Sequence, residues 1–154
     1  LIKRLIFSFP VFVRWIFFFI YLAAIVFASL SPPANIPKII YIPYIDKVIH
    51  FLMYLGFCLI AVWAMDKRVY KSGMYLLENR NLPRLILFVL FMAIAWGLVM
   101  ELFQRFMALG RHYSIYDLLA NIAGAFVGTT IYYSLFGRKN RDTVSHVPEK
   151  KIQV

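Results

Sequence analysis

Three short stretches place side chains that can do chemistry inside an otherwise apolar chain. The first holds Asp46, Lys47 and His50. His50 follows Asp46 by four residues and Lys47 by three, so a helix presents all three on one face, and Tyr54 extends that stripe. The second holds Glu101, Gln104 and Arg105. Glu101 and Gln104 are one turn apart, with Gly97 one turn before them. The third runs through Arg111, His112 and Ser114 to Asp117, Asn121, Gly124 and Gly128. The last four stand at i, i+4, i+7 and i+11, a single helical stripe.

Each of these residues has a chemical use and a structural one. His50 and Glu101 are the candidate acid–base pair, since imidazole titrates near neutrality and a buried carboxylate can have a raised pKa. His50 equally suits a hydrogen bond across a helix bundle. Glu101 equally suits an ion pair with Arg105 or Arg111. Asp46 suits a helix N-cap. Lys47, a cation opposed to the helix dipole at that end, calls for an anionic partner. Arg111 fits a carboxylate or a phosphate. Ser114 and Asp117 have the capping-box spacing, with Asp in the position usual for Glu or Gln. Asn121 suits an interhelical hydrogen bond, and Gly124-x-x-x-Gly128 suits close helix packing. His146, in the C-terminal tail, reads as solvated. Asp46, Glu101 and Asp117 oppose Lys47, Arg105 and Arg111, so the cluster can neutralise itself without a ligand.

The elements that must position these groups are membrane spans. A helix needs about 20 apolar residues to cross a bilayer core. Four runs approach that length, at about 11–30, 48–65, 85–103 and 118–137. Lys3 and Arg4 before the first run resemble a signal peptide, but the run is too long for a signal core and lacks a clear cleavage site, so a retained helix is expected. Thirteen Lys and Arg fall before the first run, at its start, between the second and third, and after the fourth, against four on the other side. The positive-inside rule then puts both termini in the cytoplasm and the three polar stretches in the outer third of the bilayer. The Pro-rich segment from Ser31 to Ile45 is too apolar for a free loop and is expected to lie at the outer interface. Residues 1–137 form the membrane domain, and 138–154 a basic cytoplasmic tail.

Composition agrees. The chain is 62% hydrophobic and only 16% charged over 154 residues, against about 45–50% and 25% in soluble domains. Disorder and a soluble globule are both excluded. The net charge of +10 falls between apolar runs, so membrane topology accounts for it and no nucleic acid is expected. The single cysteine, Cys58, excludes an intrachain disulfide. No cofactor is expected, and no metal. The spacings of a structural zinc site are absent, and nothing in the sequence enforces a divalent ion on three carboxylates and one principal His.

The polar residues also carry a likeness. Ser29-Leu30-x-Pro32, Asp46-Lys47-x-x-His50-Phe51-x-x-Tyr54, Glu101-x-x-Gln104, Arg111-x-x-Ser114-x-x-Asp117, Asn121, Gly124 and Gly128 stand in order at matching ends of the spans. In this ordered set the chain resembles the VanZ-like membrane proteins, over roughly two thirds of its length. The resemblance implies a multi-pass bacterial membrane protein and, as phenotype, low-level resistance to the glycopeptide teicoplanin.

The expected fold is an all-α, four-helix transmembrane bundle in the cytoplasmic membrane. The expected function is binding, at an extracytoplasmic polar pocket, of an envelope lipid, a lipid-linked wall precursor or a glycopeptide. The alternative is an enzyme that modifies an envelope lipid at the same pocket. Polar residues in one leaflet only argue against a transport path through one chain, although an oligomer could supply one.

Overall fold

Pro10 divides the first apolar stretch. It has no N–H to continue a helix ladder, so a short helix α1 (Ile2–Ser8) ends before it and α2 (Val11–Leu30) begins after it. The computed structural model describes residues 2–30, 44–68, 70–71, 74–75, 81–106 and 114–137. The expected interfacial segment up to residue 43, Arg111, His112 and the tail 138–154 with His146 lie outside the described residues.

Three longer helices follow, α3 (Ile45–Met65), α4 (Leu82–Phe106) and α5 (Ile115–Phe136). All start before their apolar runs, and α4 also ends after its run, because a helix continues into the polar interface once its apolar centre is fixed. Asp46 and Lys47 therefore lie in the first turn of α3. Asp46 is not its cap; Tyr44 takes that position in the left-handed region, at φ 63°, with no side-chain capping bond. Pro83 sits in the first turn of α4, where no intrahelical N–H is needed. Between α3 and α4, β1 (Tyr70–Lys71) pairs antiparallel with β2 (Met74–Tyr75), a small addition to an all-α fold.

Helices α2 to α5 are each long and apolar enough to cross a membrane. Their outer faces carry large apolar side chains in the open, with Phe27, Phe91 and Phe106 all more than 70% exposed. Such a surface needs lipid around it.

The most extensive packing is between α3 and α5. These two run parallel: Lys47 and Asp117 meet at one end, Asp66 and Tyr132 at the other. The glycine stripe makes the approach possible. A Cβ at Gly124 would overlap the Phe51 carbonyl oxygen, and one at Gly128 would lie 2.5 Å from the Leu55 carbonyl oxygen. Small-residue seams of this kind let helix backbones touch in membranes. Helix α2 packs chiefly on α3, and α4 on α5 and α3.

Candidate functional site

The bundle has a buried polar group of residues at each end. The end away from the termini gathers the residues singled out by their spacing. His50 on α3 is 8% exposed, Glu101 on α4 1% and Asn121 on α5 2%. His50 Nδ1 lies 3.1 Å from Asn121 Oδ1. An amide oxygen only accepts, so Nδ1–H donates; in the neutral ring the lone pair is then on Nε2. Lys47 Nζ donates to Asp117 Oδ1 at 2.8 Å and to Asp46 Oδ2 at 2.6 Å. Its charge is thereby matched twice, and it is not a spare cation waiting for an anion. Asp46 itself is the exposed member of the trio.

Ser114 is the N-cap of α5, and its side chain accepts from the Asp117 N–H at 3.4 Å. The reciprocal half of the box is altered. Glu101 Oε2, from the neighbouring helix, accepts from the Ser114 N–H at 3.5 Å, and the Asp117 carboxylate turns to Lys47. Gln104 turns away from this group, its Nε2 donating to the Ser29 carbonyl of α2 at 2.9 Å. Arg105 is exposed and forms no ion pair among the described residues. One turn below Glu101, Gly97 makes room for the Tyr54 ring and the Asn121 amide, whose nearest atoms stand 3.3–3.4 Å from where its Cβ would be.

One ligand atom from each of His50, Glu101 and Asp117 falls within 4.8 Å of the others. Three helices thus deliver an imidazole and two carboxylates to one point. The group can exchange protons, bind a polar headgroup or coordinate a cation.

The end that carries the termini holds a second network, which sequence reasoning missed. In the sequence Arg14 reads only as a topological charge at the start of the first run. In fact Arg14 is fully buried. Its guanidinium donates to the carbonyls of Phe7 (3.2 Å), Phe9 (3.0 Å), Asp66 (2.9 Å) and Arg68 (2.9 Å). Arg68 in turn donates to the Phe136 carbonyl at 2.8 Å and to the Asp66 carboxylate. Tyr132 donates to Asp66 Oδ2 at 2.9 Å. Two arginines therefore satisfy carbonyls left over at the ends of α1, α3 and α5, where the helix dipoles also favour cations. Burial works against the Arg68 charge, but the hydrogen bonds and charge of Asp66 outweigh it and raise the pKa. No local signal marks this clamp, because Arg14 finds two of its acceptors 52 and 54 residues away.

Fold and polar ends define the class: a polytopic helical membrane protein built on a glycine seam. The VanZ/LLP1 family model matches residues 6–137, and the chain belongs to that family. No curated protein and no solved structure matches it.

Proposed function

We propose that this VanZ/LLP1 family member is an envelope protein of the bacterial cytoplasmic membrane. Its termini face the cytoplasm, and its far end binds an envelope lipid, a lipid-linked wall precursor or a lipophilic glycopeptide. The observation that carries the proposal is the convergence of Lys47, His50, Glu101, Asp117 and Asn121 from three helices at one end of the bundle. Around that group stand exposed apolar side chains, among them Tyr44, Phe106 and Tyr116. A polar centre with an apolar rim suits an amphiphile, with its headgroup over the centre and its chains along the helices. His50 and Asn121 supply the hydrogen bonds. Asp117 holds Lys47 in place, Glu101 accepts from the Ser114 N–H, and Arg111 takes an anionic group.

The test is teicoplanin susceptibility in a Gram-positive host, comparing empty vector, wild type and Glu101→Gln at matched membrane abundance. Protection by wild type that disappears in the variant is the expected result. Protection that persists undiminished in Glu101→Gln separates the phenotype from the polar group. Absence of saturable binding of any envelope lipid or glycopeptide to the purified protein ends the proposal.

A second reading, an enzyme that modifies an envelope lipid, draws support from the His50 and Glu101 ligand atoms lying within 4.8 Å of each other, within reach of a shared substrate proton through one water. It predicts an altered lipid profile in a deletion strain, and an unchanged profile removes it.

A further inference from the structure

The two polar ends differ in how completely they satisfy themselves. At the termini end, Asp66 takes hydrogen bonds from Arg68 and Tyr132, and each arginine finds carbonyl or carboxylate acceptors. That end is a finished structural clamp. At the far end, the Tyr54 hydroxyl is buried and has no hydrogen-bond partner among the described residues, although Tyr54 is 1% exposed. A buried hydroxyl without a partner is costly and rare.

The position of that hydroxyl is informative. The Tyr54 ring lies against Gly97, beside the Asn121 amide that holds His50. Gly97 is one turn from Glu101 on α4, so the Tyr54 ring stands beside residues that position the group formed by His50, Glu101 and Asp117. A bound species there would give the hydroxyl a partner.

The donor set says what that species is. One imidazole and two carboxylates, each on a different helix, have ligand atoms within 4.8 Å of one another. Imidazole favours zinc and its neighbours, while carboxylates favour manganese and magnesium. The mixed set selects a borderline divalent ion. The hydrogen bond from His50 Nδ1 to Asn121 Oδ1 fixes the ring as the outer partner of a metal-binding histidine does, and leaves Nε2 to face the metal. Three protein ligands also leave coordination positions open for water or a substrate oxygen.

We propose that His50, Glu101 and Asp117 form a site for a divalent transition-metal ion of the Zn2+ or Mn2+ class, with the Tyr54 hydroxyl bonding a water on that ion. Asp117 Oδ1 is engaged by Lys47. The ion uses the other oxygen of Asp117 or displaces the ammonium, so Lys47 competes with the metal. The inference rests on the donor geometry and the unpartnered Tyr54 hydroxyl and does not depend on which envelope molecule the protein binds.

The experiment uses the full chain, without a polyhistidine tag, in lipid nanodiscs. Zn2+ and Mn2+ are titrated separately, with Mg2+ as control, and bound metal is measured by elemental analysis after desalting. Wild type is expected to retain about one Zn2+ or Mn2+ per chain. His50→Ala and Glu101→Gln abolish that retention, and Asn121→Ala weakens it about 10–100-fold. Lys47→Met, which leaves every ligand in place, tightens binding. Helical circular dichroism and a single elution peak establish that each variant is folded. Metal retention no greater than that of empty nanodiscs overturns the proposal. So does retention that is the same in a folded His50→Ala. If that variant does not fold, the Lys47→Met comparison decides: binding unchanged or weakened overturns the site.

Discussion

At the scale of single residues, the most consequential side chains are those whose charge is buried. Asp66 is fully buried, and its carboxylate receives Arg68 through Nε and a terminal nitrogen, and the Tyr132 hydroxyl. Asp66→Asn keeps the shape and removes the charge that Arg68 needs. Breaking one partner of a buried ion pair costs about 3–5 kcal/mol. Asp66→Asn is therefore expected to lower stability in detergent micelles by that order, measured by denaturant unfolding followed by circular dichroism. The distal Asp46 gives the contrast. It is the exposed member of its pair with Lys47, and Asp117 remains to hold the ammonium. Asp46→Asn should cost less than about 1 kcal/mol, as exposed ion pairs do. Equal losses in the two variants would show that the Asp66 network does not hold the helix ends together.

At the scale of elements, the face of α5 explains why α3 and α5 touch along their length. Its stripe runs from Asp117 on Lys47 through Asn121 on His50, Gly124 against Phe51 and Gly128 against Leu55, to Tyr132 on Asp66. Polar anchors at both ends fix the register, and the glycines between them set the distance. Gly124→Ala pushes a methyl group into backbone, which cannot yield as a side-chain tip does. The expected loss is about 1–3 kcal/mol. Gly97→Ala should cost less, because its nearest neighbours are side-chain atoms of Tyr54 and Asn121 at 3.3–3.4 Å. Unfolding midpoints of the two variants check that order, and the reverse order would remove the glycine seam as the determinant of packing. The upper part of this stripe was legible in the sequence, because residues at i, i+4, i+7 and i+11 share a face whatever lies opposite. So were the four spans, since length and hydropathy alone define them. The extra helical turns at their ends were not, because hydropathy falls before the helix does. Nor was the Arg14 clamp, whose acceptors are backbone carbonyls that carry no residue signature. The altered capping box at Ser114 was hidden for a related reason: its acceptor, Glu101, comes from another helix.

At the scale of the whole molecule, the two ends have separate tasks. The contacts place the start of α2 and the end of α5 together, with Phe7, Arg14, Arg68 and Phe136 at one end, and His50, Glu101 and Asp117 at the other. The proposed orientation puts the clamp in the cytoplasmic leaflet and the binding group outside. It rests on the distribution of Lys and Arg, and Arg14 contributes less to that count than its sequence position implies, since it is buried against carbonyls. The remaining basic residues still fall overwhelmingly at the termini end. The natural cysteine, Cys58, is fully buried and should not react in the folded protein. Single cysteines can therefore be added without removing it. Tyr116→Cys lies in the first turn of α5 at the far end, where Tyr116 is 67% exposed, and Lys67→Cys lies just beyond α3 at the termini end. With a membrane-impermeant maleimide on intact cells, Tyr116→Cys should label at once and Lys67→Cys only after permeabilisation. The opposite pattern would turn the molecule over. The group at His50, Glu101 and Asp117 would then face the cytoplasm, beyond the reach of an external glycopeptide. The metal site would survive that result, because its geometry is independent of orientation, whereas the envelope-binding function would not.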